Sequence, residues 1–111
     1  MARKNRVWYP GASYHIMSRG NRRGDIFRDE EDYSSYLKFV ADAKKRYFFE
    51  VYDYCLMTNH VHLQIETTNT EIWHIMKFIN WIYTMYFNEK YNLIGHLFQG
   101  RYTAEIIEND A

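Results

Sequence analysis

The clearest pattern of hydrophobic and polar positions lies in the middle of the chain, at residues 60–66. Valine, leucine and isoleucine alternate there with two histidines, a glutamine and a glutamate, so one side of a strand is apolar and the other is polar. Residues 48–57 also have aromatic and β-branched character, and only two residues separate the two segments. This spacing predicts an antiparallel hairpin with one face in the core and the other exposed.

Two other segments place apolar residues at helical spacing. The first follows the acidic run 29–32 and ends in the basic run 44–46, and these charges stabilise the two ends of a helix dipole. The second extends over about residues 72–86 and follows residues 67–70, whose threonines and asparagine suit a helix N-terminus. We therefore predict two helices, of which the second is the longer.

Strand patterns at residues 13–18 and 97–107 complete the order of elements. A basic segment with two glycines, residues 19–24, follows the first of them and predicts a loop. The order β, α, β, β, α, β predicts an α+β protein with a ferredoxin-like fold, in which two helices pack on one face of a four-stranded antiparallel sheet. The polar side of residues 60–66 would then lie on the uncovered face, on an internal strand.

Length and composition indicate one folded domain over residues 1–111, with a basic N-terminal arm at residues 1–10. The hydrophobic fraction of 47% and the aromatic fraction of 19% exclude a disordered chain. No apolar run approaches the ~20 residues that a membrane helix requires. The only cysteine, Cys55, cannot form an internal disulfide, so we expect a cytoplasmic protein with Cys55 in the core.

The formal net charge of zero conceals a division along the chain. Residues 1–28 carry seven basic residues and one acidic residue, whereas residues 29–111 carry seven basic and thirteen acidic ones. Such an asymmetry indicates contact with nucleic acid or another acidic partner. A solvated arm without a partner accounts for the same charges, so the charge pattern alone leaves both interpretations open.

His60 and His62 stand two positions apart on the second strand of the predicted hairpin, so both imidazoles point to the polar side. Two imidazoles in this arrangement can share a divalent ion, although ordinary surface histidines produce the same spacing. Asp53, Gln64 and Glu66 lie near enough in the hairpin to supply oxygen ligands. No cysteine pattern for a closed zinc site is present, which favours an exchangeable catalytic ion.

Five blocks share residue types and spacing with one protein family: residues 14–15, 19–23, 27–29, 55–63 and 95–102. With these blocks, which include Arg-Gly-Asn-Arg-Arg and Met-Thr-Asn-His-Val-His-Leu, the chain resembles the single-tyrosine HUH transposases. The family comprises the transposases of small insertion sequences and their relatives associated with repetitive extragenic palindromes. Thr58 stands where many members have proline, which alters the turn more than the chemistry.

The resemblance implies a mobile-element enzyme that cuts and rejoins single-stranded or hairpin DNA. In the family, the histidines matched by His60 and His62 hold Mg²⁺ or Mn²⁺, which polarises the scissile phosphate. A tyrosine attacks and forms a 5′-phosphotyrosine, and the released 3′-OH later restores a strand without ATP. Because two imidazole ligands suit Mn²⁺ better than Mg²⁺, we expect Mn²⁺ to bind more tightly.

The catalytic tyrosine of the family lies on a helix after the last strand, and the spacing from the matched Arg101 leads beyond Ala111. Tyr83 and Tyr86 fall on the apolar stripe of the second helix, where packing rather than catalysis is expected. The resemblance therefore implies a transposase domain truncated before its nucleophile. We expect no catalytic tyrosine, and no cleavage activity, in the chain as given.

Basic side chains near the first and last strands are the candidates for DNA contact, because exposed guanidinium and ammonium groups bind phosphates and base edges. Three arginines belong to the glycine-containing loop, and two basic residues belong to the arm. An arginine after Gly100 is a further candidate, for which an ion pair with Asp53 or Glu105 is the alternative. The predicted DNA-binding residues are Arg3, Lys4, Arg19, Arg22, Arg23 and Arg101.

Two other functions remain open on the sequence alone. A hairpin or single-strand nucleic-acid-binding module without cleavage activity would bind independently of metal, but the aromatic pair that such sheets use for stacking is missing. A metal-dependent phosphodiesterase acting through His60, His62 and water would release hydrolysed DNA without a covalent link.

The second helix, with Trp73 and Trp81, has more apolar surface than packing against one sheet face needs. This extra apolar surface is consistent with a homodimer. No membrane partner is expected.

Overall fold

A computed structural model describes residues 8–107, and these residues form the predicted order of strands and helices. The α+β, ferredoxin-like prediction is confirmed, since four strands form one antiparallel sheet and two helices pack on one of its faces. The arm residues Arg3 and Lys4 lie outside the described residues. The elements are β1 (Ser13–Arg19), α1 (Glu30–Tyr47), β2 (Glu50–Met57), β3 (His60–Glu66), α2 (Ile72–Tyr91) and β4 (Thr103–Ile107).

The sheet has the strand order β2-β3-β1-β4, so β3 and β1 are its central strands. β3 follows the predicted alternation, because Val61, Leu63 and Ile65 are buried while its polar residues remain partly exposed. The helices bury apolar residues such as Ile75 and Ile79 against this face. No helix of the described chain covers the opposite face, which carries both histidines of β3.

An ionic cluster joins the start of α1 to the end of α2. Asp29 caps α1 by accepting a hydrogen bond from the Asp32 amide at 3.0 Å. The Lys90 ammonium lies 2.8 Å from the carboxylate of Asp29 and 2.9 Å from that of the buried Asp32. The acidic run 29–32 therefore stabilises the helix end, as predicted, and it also holds the two helices together.

Asp32 remains charged although its side chain is fully buried at this junction. Burial by itself raises the pKa of Asp32, but hydrogen bonds from the Tyr91 hydroxyl, the Arg28 amide, Lys90 and the Tyr86 hydroxyl outweigh burial. The result is a pKa lowered to about 2. The carboxylate is thus ionised at neutral pH and fully paired, which is the condition under which a buried charge is tolerated.

The second strand departs from simple alternation at a β-bulge. Val51 pairs with Ile65, and Asp53 pairs with the next residue of β3, so Tyr52 is an extra residue in β2. Beyond the bulge the two faces of β2 are exchanged, and Cys55 lies opposite a histidine of β3 on the uncovered face. The expectation that Cys55 is in the core is wrong, because one extra residue moves every later side chain to the other face.

The last strand is shorter than the pattern over residues 97–107 predicts. It begins at Thr103, and in the segment before it Phe98 pairs with Gly20 and Gly100 has a φ of +54°. A positive φ interrupts the extended backbone that a strand requires. Arg101 consequently precedes β4 instead of lying on it, which corrects its predicted place.

The start of α2 also differs from the prediction, since Glu71 and not a residue of 67–70 is the cap. Thr67 is buried, and its hydroxyl accepts a hydrogen bond from the Trp8 indole and donates one to the Ala12 carbonyl. Through these two hydrogen bonds, Thr67 connects the segment that precedes β1 to the end of β3. No helix within residues 8–107 is long and apolar enough to cross a membrane.

Candidate metal and nucleic-acid site

The uncovered face of the sheet, here called the open face, brings three histidines together. In the pairing of β1 with β3, His62 lies opposite Met17, and Gln64 lies opposite His15. This register places His15 on the same face as His60 and His62. The ring centroids are 5.1 Å apart for His15 and His62, and 5.0 Å apart for His60 and His62.

Each histidine of the β3 pair has its Nδ1 atom engaged. His60 Nδ1 lies 2.8 Å from Asn59 Oδ1, and His62 Nδ1 lies 3.1 Å from His15 Nε2. Burial, together with the charges of His60 and His15, lowers the pKa of His62 and favours its neutral form. A neutral imidazole whose Nδ1 carries the proton offers the Nε2 lone pair to a cation. In that tautomer the pair would offer two Nε2 atoms, the kind of donor that binds divalent ions.

Within residues 8–107, no group of three His, Cys, Asp or Glu side chains could hold a metal ion, so the pair has no third protein ligand of these types there. The predicted oxygen donors have other contacts. Glu66 accepts a hydrogen bond from the Tyr52 hydroxyl at 2.7 Å, and Asp53 accepts one from the Tyr54 amide at 2.8 Å. Water or phosphate oxygens would complete the ligand set of an ion held by the two histidines.

The basic loop after β1 is fixed beside the hairpin turn of β2 and β3. The Gly20 amide donates to the Asn59 carbonyl at 2.8 Å, and the Asn21 amide donates to the Leu97 carbonyl at 2.8 Å. Gly20 has no room for a side chain, because a Cβ atom would lie 2.1 Å from the Gly24 carbonyl oxygen. The turn, the loop and the segment before β4 therefore meet at the end of β3 where its first histidine lies.

Two of the predicted DNA-binding arginines, Arg22 and Arg23, belong to this loop, whereas Arg19, also predicted in the loop, is the last residue of β1. Arg19 lies directly opposite His60 on the open face. Arg22 and Arg23 have φ angles of +55° and +59°, a backbone conformation that costs free energy in residues other than glycine. All three residues are exposed, and none forms an ion pair with another residue of the described chain. Their positive charge is therefore free to act on a ligand.

Arg101 adds a fourth exposed guanidinium at the same end of the sheet. Its segment is tied to β1, since the Gln99 amide donates to the Arg19 carbonyl at 2.8 Å. The alternative ion pair of Arg101 with Asp53 or Glu105 does not form between the described residues. Arg101 thus extends the basic surface that begins at the loop.

An acidic row crosses the open face beyond His62. The strand pairings place Asp53, Gln64, His15 and Glu105 side by side across the four strands. The same four residues line a groove together with His62. Because the arginines lie at the other end of β3, the open face is basic at one end and acidic at the other.

The tyrosines of α2 lie on the other side of the sheet from the histidines. Tyr83 is fully buried, and its hydroxyl donates to the Ile26 carbonyl. Tyr86 and Tyr91 donate to the Asp32 carboxylate. Burial is the largest of the causes that raise the pKa of all three phenols. Raised values oppose the formation of a nucleophilic phenolate.

Two residues of the site were not among those selected from the sequence. Asn59 was visible only as a turn residue next to His60, and nothing local marked its side chain as a hydrogen-bond partner. The contact of His15 with His62 depends on the pairing of β1 with β3, which are far apart in the sequence. A register between strands is not encoded in the pattern of either strand alone.

Comparisons with known proteins relate the chain to transposases. A family model described as IS200-like transposase matches residues 9–111. Among solved structures, a REP-associated tyrosine transposase bound to a REP hairpin is similar, with a TM-score of 0.76 and 16% sequence identity. The alignment covers 98% of this chain and 64% of that protein, so the chain spans less than two thirds of its length.

A second solved structure, from Deinococcus radiodurans R1, carries a provisional transposase name. It has a TM-score of 0.72 and 17% identity, and the alignment covers 96% of this chain and 87% of that protein. At these identities the two structures show a shared fold. A comparison with curated proteins gives no match.

Proposed function

This chain belongs to the IS200-like transposase family, and on that premise we propose that it functions in DNA transposition, by metal-dependent cleavage and rejoining of single-stranded or hairpin DNA. The proposal is carried by the position of His60 opposite the exposed Arg19, at the end of the open face where the basic loop and the segment of Arg101 meet the hairpin turn. A phosphodiester bound there would meet guanidinium groups and the histidine pair together. The name of the solved relative that is bound to a REP hairpin supports hairpin DNA as the ligand.

His60 and His62 are the proposed holders of Mg²⁺ or Mn²⁺. When bound, such an ion would polarise the scissile phosphate as a Lewis acid. The chain itself fixes both imidazoles on a central strand and keeps both Nδ1 atoms engaged, which would leave the two Nε2 atoms for the ligand. Two nitrogen donors favour Mn²⁺ over Mg²⁺.

The basic end of the open face is the proposed path of the DNA strand. Contacts of arginines and lysines with phosphates position a strand without reading its sequence. The acidic row beyond His62 would repel the phosphate backbone and so keep the strand at the basic end. The proposed DNA-contacting residues are Arg3, Lys4, Arg19, Arg22, Arg23 and Arg101.

We assign the nucleophilic attack to a tyrosine from outside residues 1–111. Its oxygen would form a bond to phosphorus while the bond from phosphorus to the 3′ oxygen breaks, and the leaving 3′ oxygen would take up a proton. Attack by a 3′-OH on the phosphotyrosine would form the new phosphodiester while the bond from phosphorus to the tyrosine oxygen breaks, and the tyrosine oxygen would take up the proton that the 3′-OH loses. The hydroxyls of Tyr83, Tyr86 and Tyr91 are hydrogen-bonded in the helix layer, which supports this assignment. We therefore expect the chain alone to bind DNA and metal without cleaving DNA.

A hairpin oligonucleotide with a single-stranded flank tests the proposal. We expect the chain to bind it more tightly in Mn²⁺ than in EDTA, and the His60→Ala/His62→Ala double variant to lose that difference. Denaturing gels should show no covalent adduct, and an adduct would contradict the external tyrosine. Equal affinity in Mn²⁺ and EDTA would favour the metal-independent binding module, and hydrolysed, unlinked DNA would favour the phosphodiesterase. Absence of binding to hairpin and single-stranded DNA would contradict all three functions.

We also propose that the chain forms a homodimer through α2. Trp73, Trp81 and Met85 lie on one stripe of the helix and are 39%, 57% and 53% exposed. Exposed apolar stripes of this kind favour protein interfaces. Sedimentation equilibrium should show a dimer for the wild type and a monomer for Trp81→Lys, with unchanged circular dichroism. A monomeric wild type at high protein concentration would contradict the proposal.

A further inference from the structure

Asn59 contacts His60, and His15 contacts His62, and in both contacts the atom of the proposed metal-binding histidine is Nδ1. Asn59 Oδ1 lies 2.8 Å from His60 Nδ1, and His15 Nε2 lies 3.1 Å from His62 Nδ1. In the described chain, neither Nε2 atom of the pair has a hydrogen-bond partner. The two contacts thus leave the same ring nitrogen free in both histidines.

The position of the imidazole proton decides whether a histidine can bind a cation. A neutral imidazole carries one proton, and only the other ring nitrogen then has a lone pair for a metal ion. Asn59 Oδ1 can only accept a hydrogen bond, so its contact requires the proton of His60 to be on Nδ1. His62 can bind a cation through Nε2 only if its Nδ1 also carries the proton and His15 Nε2 is the acceptor.

We propose that Asn59 and His15 are positioning residues that hold His60 and His62 as Nδ1–H tautomers, with both Nε2 lone pairs directed to one cation. The inference rests on the proposed metal-binding role of the pair. Neither positioning residue touches the cation, and each acts through the histidine that it contacts. Partners of this kind orient a ligating imidazole and raise its basicity.

The backbone supports both contacts independently of any ligand. The antiparallel pairing of β1 with β3 brings His15 next to His62 across two central strands. The hairpin turn is held at two points, because the Thr58 carbonyl accepts from the Ile26 amide at 2.7 Å and the Asn59 carbonyl accepts from the Gly20 amide at 2.8 Å. The Asn59 side chain therefore starts from a fixed turn beside His60.

Long-range ¹H–¹⁵N NMR spectra of the imidazoles test the inference in the full chain without metal, because they distinguish the two tautomers. We expect His60 and His62 both to be Nδ1–H in the wild type. His15→Phe keeps a ring and removes the acceptor, so His62 should change to mainly Nε2–H. Asn59→Leu should produce the same change in His60 alone.

Conservative variants separate the hydrogen bond from packing. His15→Gln and Asn59→Asp keep an acceptor oxygen and should retain the wild-type tautomers, whereas Thr103→Val is a matched control elsewhere on the open face. In calorimetric titrations, Mn²⁺ affinity should fall about 10–100-fold in His15→Phe and in Asn59→Leu. It should stay close to the wild-type value in His15→Gln and Thr103→Val. Asn59→Asp is judged by its tautomer only, since the added charge itself attracts cations.

The inference is overturned if wild-type His62 carries its proton on Nε2, or if His15→Phe and Asn59→Leu leave the tautomers unchanged. Amide spectra with native dispersion confirm that each variant is folded. Failure of the proposed function has a different signature. If the tautomers depend on His15 and Asn59 but the wild type binds no Mn²⁺, the positioning contacts are supported and the metal-binding role is contradicted.

Discussion

Arg19 and His60 lie directly opposite each other on the two central strands of the sheet, on the face that no helix of the described chain covers. Arg19 is exposed and has no acidic partner among the described residues. A phosphate bound by Arg19 would therefore lie beside the histidine pair. Because the arginine and the imidazoles are separate groups, mutation can distinguish charge neutralisation from metal binding.

Replacing Arg19 with alanine should weaken hairpin binding without affecting the fold, since the residue is exposed. Loss of one phosphate contact should reduce the slope of log K against log salt by about 0.7 to 0.9. Fluorescence anisotropy over a series of salt concentrations measures this slope. Lys38→Ala, an exposed change on α1, is the control of equal charge. An unchanged slope in Arg19→Ala would remove Arg19 from the interface.

Mn²⁺ should raise the free energy of unfolding of the wild type, because an ion that binds only the folded state stabilises it. At an Mn²⁺ concentration of 100 times Kd, the increase should be about 2.7 kcal/mol. Thermal unfolding with and without EDTA measures it. The increase should vanish in His62→Ala and persist in His74→Ala, which removes an exposed imidazole on α2. Equal stabilisation of both variants would place the ion elsewhere.

Asp32 should make stability depend on pH in the acid range. Its pKa is lowered from 3.8 to about 2 in the folded state, so its contribution is complete above pH 3.8 and is lost as pH falls through about 2. This lowering corresponds to about 2 kcal/mol. Urea unfolding between pH 2 and pH 6 should show the loss in the wild type and in Asp25→Asn, whose carboxyl is exposed.

Asp32→Asn should remove that pH dependence and lower the free energy of unfolding at neutral pH. The change leaves Lys90 and two tyrosine hydroxyls without their charged acceptor, and breaking a buried charge pair costs about 3–5 kcal/mol. A variant that keeps the wild-type acid transition would show that another carboxyl controls it.

Gly20→Ala should distort the basic loop, because the new Cβ would lie 2.1 Å from the Gly24 carbonyl oxygen. We expect a loss of about 1–3 kcal/mol in stability, as for other overpacked sites, together with weaker hairpin binding. Gly24→Ala is the matched control, since its Cβ would lie 3.2 Å from the Asn21 carbonyl oxygen. Chemical denaturation and anisotropy measure the two effects. Equal effects of both substitutions would contradict the steric explanation.

Cys55 should react with thiol reagents in the folded protein, because the bulge at Tyr52 turns it to the open face. A bulky maleimide there would stand opposite His62 and should reduce both Mn²⁺ and hairpin affinity. Cys55→Ser treated with the same reagent should keep both affinities. A thiol that reacts only in denaturant would mean that β2 pairs without the bulge.

The elements that local periodicity predicted best are β3 and the two helices. Alternation along β3 is complete within seven residues, so the face of His60 and His62 needed no knowledge of the rest of the chain. The charges at the two ends of α1 likewise reflect interactions within one helix. Where a single extra residue or a positive φ intervened, as at Tyr52 and Gly100, the predicted face of Cys55 and the predicted start of the last strand were wrong.

The sequence by itself determined the order of elements, the shared face of His60 and His62, and the basic loop that follows the first strand. Only the tertiary structure decided that His15 contacts His62 and that Arg19 lies opposite His60. The physical reason is that periodicity acts within a few consecutive residues, whereas strand register arises from hydrogen bonds between segments distant in the sequence.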